Sequence, residues 1–273
     1  MGIVLGIDVG GSTTKIVGLE NDKRLGMLQV RAADQVTSMY GAIGNLLSKR
    51  KIAPSDVSKI YLTGVGASFI DEKVYDIETV RVNEFEAIGR GALGLTGLNK
   101  ALVVSLGTGT AFVKASEDEI VHLGGSGIGG GTIVGLSSQM LGKSDVDAVI
   151  ALAEKGNLKN IDLSVSDILS KEVQSLPFDL TAANFGKIKS TASDSDVALG
   201  ILNMVFETAG MLAVFALKND TIKDVVLTGT LATFPQAKTV FSRFNELTDL
   251  NFIIPEDAVF ATALGAAHGC RRE

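Results

Sequence analysis

The sequence predicts an α/β protein made of two related lobes that face each other across a cleft. Three features carry that prediction: short β-branched runs ending in glycine turns, longer segments with apolar residues at helical spacing, and an internal repeat. Leu5-Gly6-Ile7-Asp8-Val9-Gly10-Gly11-Ser12 is echoed by Val103-Val104-Ser105-Leu106-Gly107-Thr108-Gly109-Thr110. Lys59-Ile60-Tyr61-Leu62-Thr63-Gly64 is echoed by Lys223-Asp224-Val225-Val226-Leu227-Thr228-Gly229. Strand, glycine turn, strand, then strand–Thr-Gly therefore occurs twice in the same order. The first lobe is assigned to 1–86, with a C-terminal helix in 258–273 packing back on it. The second is assigned to 87–257, enlarged by a helical insertion over about 136–218.

Along the chain, residues 3–7 and 15–19 are β-branched and aliphatic runs flanking glycines, which predicts a hairpin. Residues 34–51 carry Val36, Met39, Tyr40, Ile43, Leu46 and Leu47 at helical spacing, with Pro54 beyond the end. Strands are expected over 59–63 and 101–106, and a small-residue helix linking the lobes over 87–95. Further helices are expected at 145–155, 164–173, 197–218 and 235–248; Ser or Asp stands near each start except the last, which begins at Pro235. The helix over 258–269 is rich in Ala and Gly, so it can approach another backbone closely. It is expected to cross the linker helix near Gly89 and Gly91, forming a hinge between the lobes.

Composition narrows the function classes. The chain has 273 residues, 46% hydrophobic and 21% charged, enough for two packed lobes. Net charge is −6 with cations scattered, which argues against a nucleic-acid surface. One cysteine, Cys270, and two histidines cannot build a zinc site of the usual ligand count, and they fit a reducing compartment. Asp8 interrupts the apolar N-terminus too early for a secretion signal. The apolar segment 197–217 has Asn203, Glu207 and Thr208 at its centre, so a buried helix is expected there rather than a membrane span. The expected location is the cytoplasm.

The chemistry lies in the glycine turns. A hairpin turn of Gly10, Gly11, Ser12 and Thr13, followed by Thr14 and Lys15, presents backbone N–H groups and small side chains to one point, as a phosphate requires. Asp8 stands where it could hold Mg2+ or its water shell, and Lys15 could neutralise a transferred group. The spacing is neither a P-loop nor a dinucleotide fingerprint, because β-branched residues rather than a helix follow the glycines. A second turn carries Thr108 and Gly109. A third run, Gly124-Gly125-Ser126-Gly127-Ile128-Gly129-Gly130-Gly131-Thr132, leads through Ile133 and Val134 into a helix, whose N-terminus is a natural anion site. Thr230, after the second strand–Thr-Gly, could meet adenine or ribose. Glu84 lies just before the linker helix, either as a solvated acidic residue at the helix start or as a general base.

These pieces resemble the actin-like ATPase superfamily of sugar kinases, heat-shock ATPases and actin. Within it, the chain is similar to the type II pantothenate kinases over nearly its whole length. The similarity rests on Gly6-Ile7-Asp8-Val9-Gly10-Gly11-Ser12, on the turn at Gly107-Thr108-Gly109-Thr110, on Gly129-Gly130-Gly131-Thr132, and on Asp179-Leu180-Thr181-Ala182-Ala183-Asn184-Phe185-Gly186. The resemblance implies two actin-like (ribonuclease H-like) lobes with an ATP cleft between them, and a homodimer. It also implies MgATP-dependent phosphorylation of pantothenate to 4'-phosphopantothenate, the first step of coenzyme A synthesis, with Glu84 as general base. One position departs from the pattern: His122 stands where the family usually has an arginine on the acceptor side, so a fixed charge is missing. Rival readings are a kinase of another small alcohol such as an amino sugar, and a non-catalytic ATP-dependent switch. The iron–sulfur activases of the same superfamily are disfavoured, because Cys270 is the single cysteine.

Overall fold

A computed structural model describes residues 2–32, 34–70, 73–169 and 181–268. In chain order the first half forms β1 (Ile3–Val9), β2 (Thr13–Glu20), β3 (Lys23–Arg31), α1 (Gln35–Arg50), β4 (Val57–Thr63), β5 (Lys73–Val74), β6 (Ile77–Arg81) and α2 (Glu84–Thr96). The second half forms β7 (Lys100–Leu106), β8 (Thr110–Ser116), β9 (Ile120–Ser126), α3 (Gly130–Leu141), α4 (Val146–Ala153), β10 (Leu163–Ser164), α5 (Val165–Ile168) and β11 (Thr181–Ala183). It closes with α6 (Asp194–Ala216), β12 (Asp224–Thr228), α7 (Pro235–Leu247), β13 (Asn251–Ile253) and α8 (Ala261–His268).

The two main sheets repeat one topology. The first runs β3-β2-β1-β4-β6-β5 and the second β13-β12-β7-β8-β9. In each, three antiparallel strands are followed by a strand added parallel to the first of them, then one more parallel strand. The duplication extends to single residues. Gly64 and Gly229 end β4 and β12 with φ of 88° and 87°, a left-handed conformation that costs glycine little. A Cβ on Gly64 would stand 2.6 Å from the Val9 carbonyl oxygen, and one on Gly229 2.5 Å from that of Leu106. Val9 therefore matches Leu106, and Asp8 matches Ser105. The sequence echo is real but slipped by one residue, because the first turn and its counterpart start one place apart in the aligned strings.

Each sheet is covered on both faces. Leu5, Ile7, Val9 and Ile16 pack under α1 with Met39, Ile43 and Leu46. Asp34 caps α1 by accepting the Thr37 N–H at 2.7 Å, as its place before the apolar periodicity predicts. In the second lobe, α3, α6 and α7 close over Leu102, Val104 and Leu227, with Phe206 and Phe241 buried at the centre. Each such fully buried side chain contributes roughly 1.5–3 kcal/mol. Helix α6 is long and apolar enough to cross a membrane by length and composition, but Ile201, Leu202, Val205 and Phe206 are spent on this core.

The remaining faces exchange helices. Helix α2 lies on the second sheet through Ile88 and Ala92 against Val103, Val113 and Ala115. Helix α8 lies on the first sheet through Ala263, Leu264 and Ala267 against Val17 and Leu19. The two cross where Gly91 meets the Ala261 carbonyl and Gly265 meets the Ala87 carbonyl; a Cβ at either glycine would stand 1.8 Å from that oxygen. Gly89, expected at the same crossing, instead faces Ile120 and Ala115 of the second sheet.

Several boundaries move. The hairpin strands run to Val9 and from Thr13, because pairing with β3 and β4 extends them toward the turn. Helix α2 starts at Glu84, capped by Asn83, whose Oδ1 accepts from Phe85 N at 2.9 Å and Glu86 N at 3.2 Å. The first glycines of the third run, Gly124 and Gly125, belong to β9; a Cβ on Gly125 would stand only 3.0 Å from the Thr110 carbonyl oxygen. Residues 258–260 form a 3-10 turn before α8 begins. The helix expected at 164–173 covers Val165–Ile168, and residues 170–180 with Asp179 and Leu180, like Gly269 and Cys270, lie outside the described residues.

Candidate active site in the interlobe cleft

The site begins with a row across the first sheet. Register places Thr63, Asp8, Lys15 and Gln29 side by side on β4, β1, β2 and β3, all on the face turned toward the second lobe. Asp8 and Lys15 are 6% and 9% exposed, and the lysine Nζ donates to Asp8 Oδ2 at 3.2 Å. Asp8 Oδ1 lies against Gly64, where a Cβ would be 2.6 Å away, so the left-handed glycine makes room for the carboxylate. The Thr63 hydroxyl beside it is buried without a partner, as is that of Thr228 at the matching place in the second lobe.

Gly10, Gly11 and Ser12 form the turn itself, closed by Gly10 N donating to the Thr13 carbonyl at 3.0 Å. Gly11 and Ser12 are exposed. Opposite them stands the second turn: Ser12 Oγ and Thr108 Oγ1 share a hydrogen bond of 3.1 Å between the lobes. The third run folds onto that turn, with Gly130 N and Gly131 N donating to the Gly107 and Thr108 carbonyls at 2.9 Å each. A Cβ on Gly129 would stand 2.7 Å from the Gly109 Cα, so only glycine permits this stacking of loop on loop. The two leading amides of α3 are thereby engaged by protein carbonyls. Thr132 Oγ1 accepts from Gly129 N at 3.1 Å and braces the loop. On the far side, Gln29 Nε2 donates to Thr230 Oγ1 at 3.2 Å, a second polar bond between the lobes.

Two predicted residues leave the set. Thr14 is fully buried on the opposite sheet face, paired with Val9 and Val30, because strand alternation sends it away from Thr13 and Lys15. Ile133 is fully buried in the core of the second lobe. Val134 is half-buried beside it.

Glu84 lies close enough to this row to feel it. Burial pushes its carboxyl above the ordinary value of 4.5; Asp8 pushes it further up, and Lys15 pulls it back. Glu86 is turned away and bonds Arg90 at 2.9 Å one helical turn on. His122 stands in β9, its ring stacked on Phe85 with centroids 3.6 Å apart and planes at 8°. Among the described residues no cluster of three or more His, Cys, Asp or Glu could hold a metal. A lone buried carboxylate at a phosphate turn suits Mg2+, which is commonly bound through one carboxylate, waters and substrate phosphates.

Sequence comparison decides the family. The Fumble family profile matches residues 99–242, just over half of the chain. The chain belongs to the Fumble family. That is the family of the type II pantothenate kinases. This Fumble-family chain is 28% identical over 272 residues to a protein of Bacillus cereus named type II pantothenate kinase, covering 96% of this chain and 95% of that one. It is 27% identical over 274 residues to the type II pantothenate kinase of Staphylococcus saprophyticus, covering 97% and 99%. Among solved structures, the fold resembles the activator of 2-hydroxyisocaproyl-CoA dehydratase from Clostridium difficile with bound ADPNP (TM-score 0.70, 17% identity, 97% of this chain and 92% of that one). It also resembles a ROK glucokinase from Streptomyces griseus in complex with glucose and AMPPNP (TM-score 0.61, 13% identity, 100% of both chains). At these identities the likeness establishes the two-lobed actin-like fold.

Proposed function

We propose that the chain transfers the γ-phosphate of ATP to the 4'-hydroxyl of pantothenate, the entry step to coenzyme A. The observation that carries this reading is Glu84, a partly buried carboxylate with a raised proton affinity, coupled to Asp8 and Lys15 beside two facing phosphate turns. Full-length similarity to type II pantothenate kinases supports pantothenate as the acceptor.

In this mechanism Gly10, Gly11, Ser12 and Thr13 on one side and Thr108 and Gly109 on the other embrace the phosphates, while Gly130, Gly131 and Thr132, expected at the phosphates, have their donors spent on the loops and brace the second turn from behind. The Ser12–Thr108 bond must part to admit them. Val134 and Thr230 flank the nucleotide further out. Asp8 would hold Mg2+, which supplies charge neutralisation at the phosphates. Lys15, already at Asp8, offers its ammonium to the transferred group. Glu84 accepts the proton as the acceptor oxygen bonds to the γ-phosphorus, while the bond from that phosphorus to the bridging oxygen breaks and ADP leaves. His122 lines the acceptor side.

Because Glu84 must be ionised to act, kcat/KM should fall as pH falls through its raised value. The acid limb of the profile is expected to inflect above 4.5; a limb at or below 4.5 would speak against Glu84 as base. ADP release from MgATP should be stimulated by pantothenate and not by amino sugars, while intact ATP binding without stimulation would favour another acceptor or a switch.

The homodimer and the cytoplasmic location belong to the same proposal. Met211, Leu212 and Phe215 form an exposed apolar face at the end of α6, suited to a second copy. A single cysteine and scattered charge fit a reducing compartment without a nucleic-acid or membrane partner.

A further inference from the structure

Helix α2 packs against β9 as well as against β7 and β8. Strand β9 is the edge of its sheet, and its alternation is broken. Val113 pairs with His122 but Phe112 pairs with Gly124, so Leu123 is an extra residue, a β-bulge. Gly124 takes the strain with φ of 143°. The bulge changes which side chains face α2. Ile120 and His122, before it, share the face of Ala115 and Val113, which pack on α2. Gly124, after it, sits opposite Phe112, whose side chain enters the other core.

Ile120 and His122 meet residues one turn apart on α2. Ile120 lies over Gly89, where a Cβ would stand 2.9 Å from its Cδ1, so the missing side chain lets β9 come close. One turn earlier, His122 lies flat on Phe85 at 3.6 Å. Phe85 follows Glu84 directly, in the turn that Asn83 caps. The cap closes this turn on itself, and the stack ties it to β9. The ring nitrogens of His122 are in no hydrogen bond with the described residues, so its one contact of note is through its face.

We propose that His122 is a positioning residue for Glu84: laid flat on Phe85 by the bulge at Leu123, its ring fixes the first turn of α2 and thereby the carboxylate in the cleft. Planarity does this, not charge, which explains how an imidazole serves here. An aromatic pair biases one arrangement of the turn about two- to tenfold over the rest. The proposal rests on Glu84 being the base, but its first test does not require turnover.

The test compares His122→Ala, His122→Phe and Phe85→Ala in the full chain. The Glu84 carboxyl is titrated by carbon-13 NMR, and kcat is measured with pantothenate. His122→Ala should move the Glu84 titration toward the ordinary carboxylate range and lower kcat about two- to tenfold, with ATP affinity unchanged. His122→Phe, flat but without nitrogens, should restore both. The double variant His122→Ala with Phe85→Ala should be no slower than the slower single one, because both remove the same stack. Three results would each overturn the proposal: a Glu84 titration unmoved in His122→Ala, no rescue by His122→Phe, or multiplicative losses in the double variant. If the wild-type chain does not phosphorylate pantothenate, the functional reading fails, and the titration still decides whether the stack positions Glu84.

Discussion

Glu84→Gln is expected to lower kcat by about 10²–10⁴-fold while leaving ATP affinity within about twofold of wild type. The amide keeps the shape of the side chain and its place at the first residue of α2, where Asn83 still caps the turn. It removes the carboxylate proposed to take the acceptor's proton. The turns proposed to hold the nucleotide keep their own bonds: Gly10 N to Thr13, Gly130 N to Gly107, Gly131 N to Thr108. Steady-state kinetics with nucleotide-binding titrations check both halves. Asp8 is a poorer choice for this experiment. Losing that carboxylate would leave Lys15 buried and unpaired, a cost of roughly 3–5 kcal/mol that mixes stability with chemistry.

Gly265→Ala is expected to cost about 3 kcal/mol and to lower Tm by roughly 6–12 °C. Its Cβ would lie 1.8 Å from the Ala87 carbonyl oxygen and 2.6 Å from Gly91 N, both backbone atoms that cannot swing aside. The two helices would have to separate where each rests on the other half's sheet. Helix α2 also contains its own control. Gly94 has nothing within 4 Å of its would-be Cβ, so Gly94→Ala should stabilise by about 0.5–1 kcal/mol through helix propensity alone. Thermal melts of the two variants separate close packing from any general effect of a methyl group. Equal melts for Gly265→Ala and wild type would mean that the crossing is looser than the glycines indicate.

Much of this architecture is legible in the sequence because it is duplicated. Thr63-Gly64 and Thr228-Gly229 mark equivalent strand ends, and both glycines are there for the same left-handed turn. The slip of one residue in the other echo follows from chemistry: Asp8 and Ser105 occupy matching places but share no side-chain type. Boundaries were less legible where tertiary pairing overrides local propensity, as at Gly124 and Gly125 in β9. Glycines there mark close approach to the neighbouring strand, not an interruption.

Within the site, residue type pointed to Asp8 and Lys15 around a glycine turn, whereas Glu84, equally readable as a solvated helix start, was singled out by the family resemblance. Facing was harder. Thr14 and Ile133 stand among plausible neighbours but point into the cores, and only the sheet register and the helix packing reveal it. Gln29 was missed altogether. Its link to Thr230 depends on β3, a strand of mixed charge without strong alternation, being drawn beside β2. The Phe85–His122 stack was equally hidden, because it needs a bulge that no local signal announces.

The most direct test of the account is phosphorus-31 NMR of the product formed from MgATP and pantothenate by the purified chain. A phosphomonoester on the 4'-hydroxyl is expected, appearing in step with ADP and formed about 10²–10⁴-fold more slowly with Glu84→Gln. ATP bound normally, with inorganic phosphate or nothing produced in the presence of pantothenate, would contradict it.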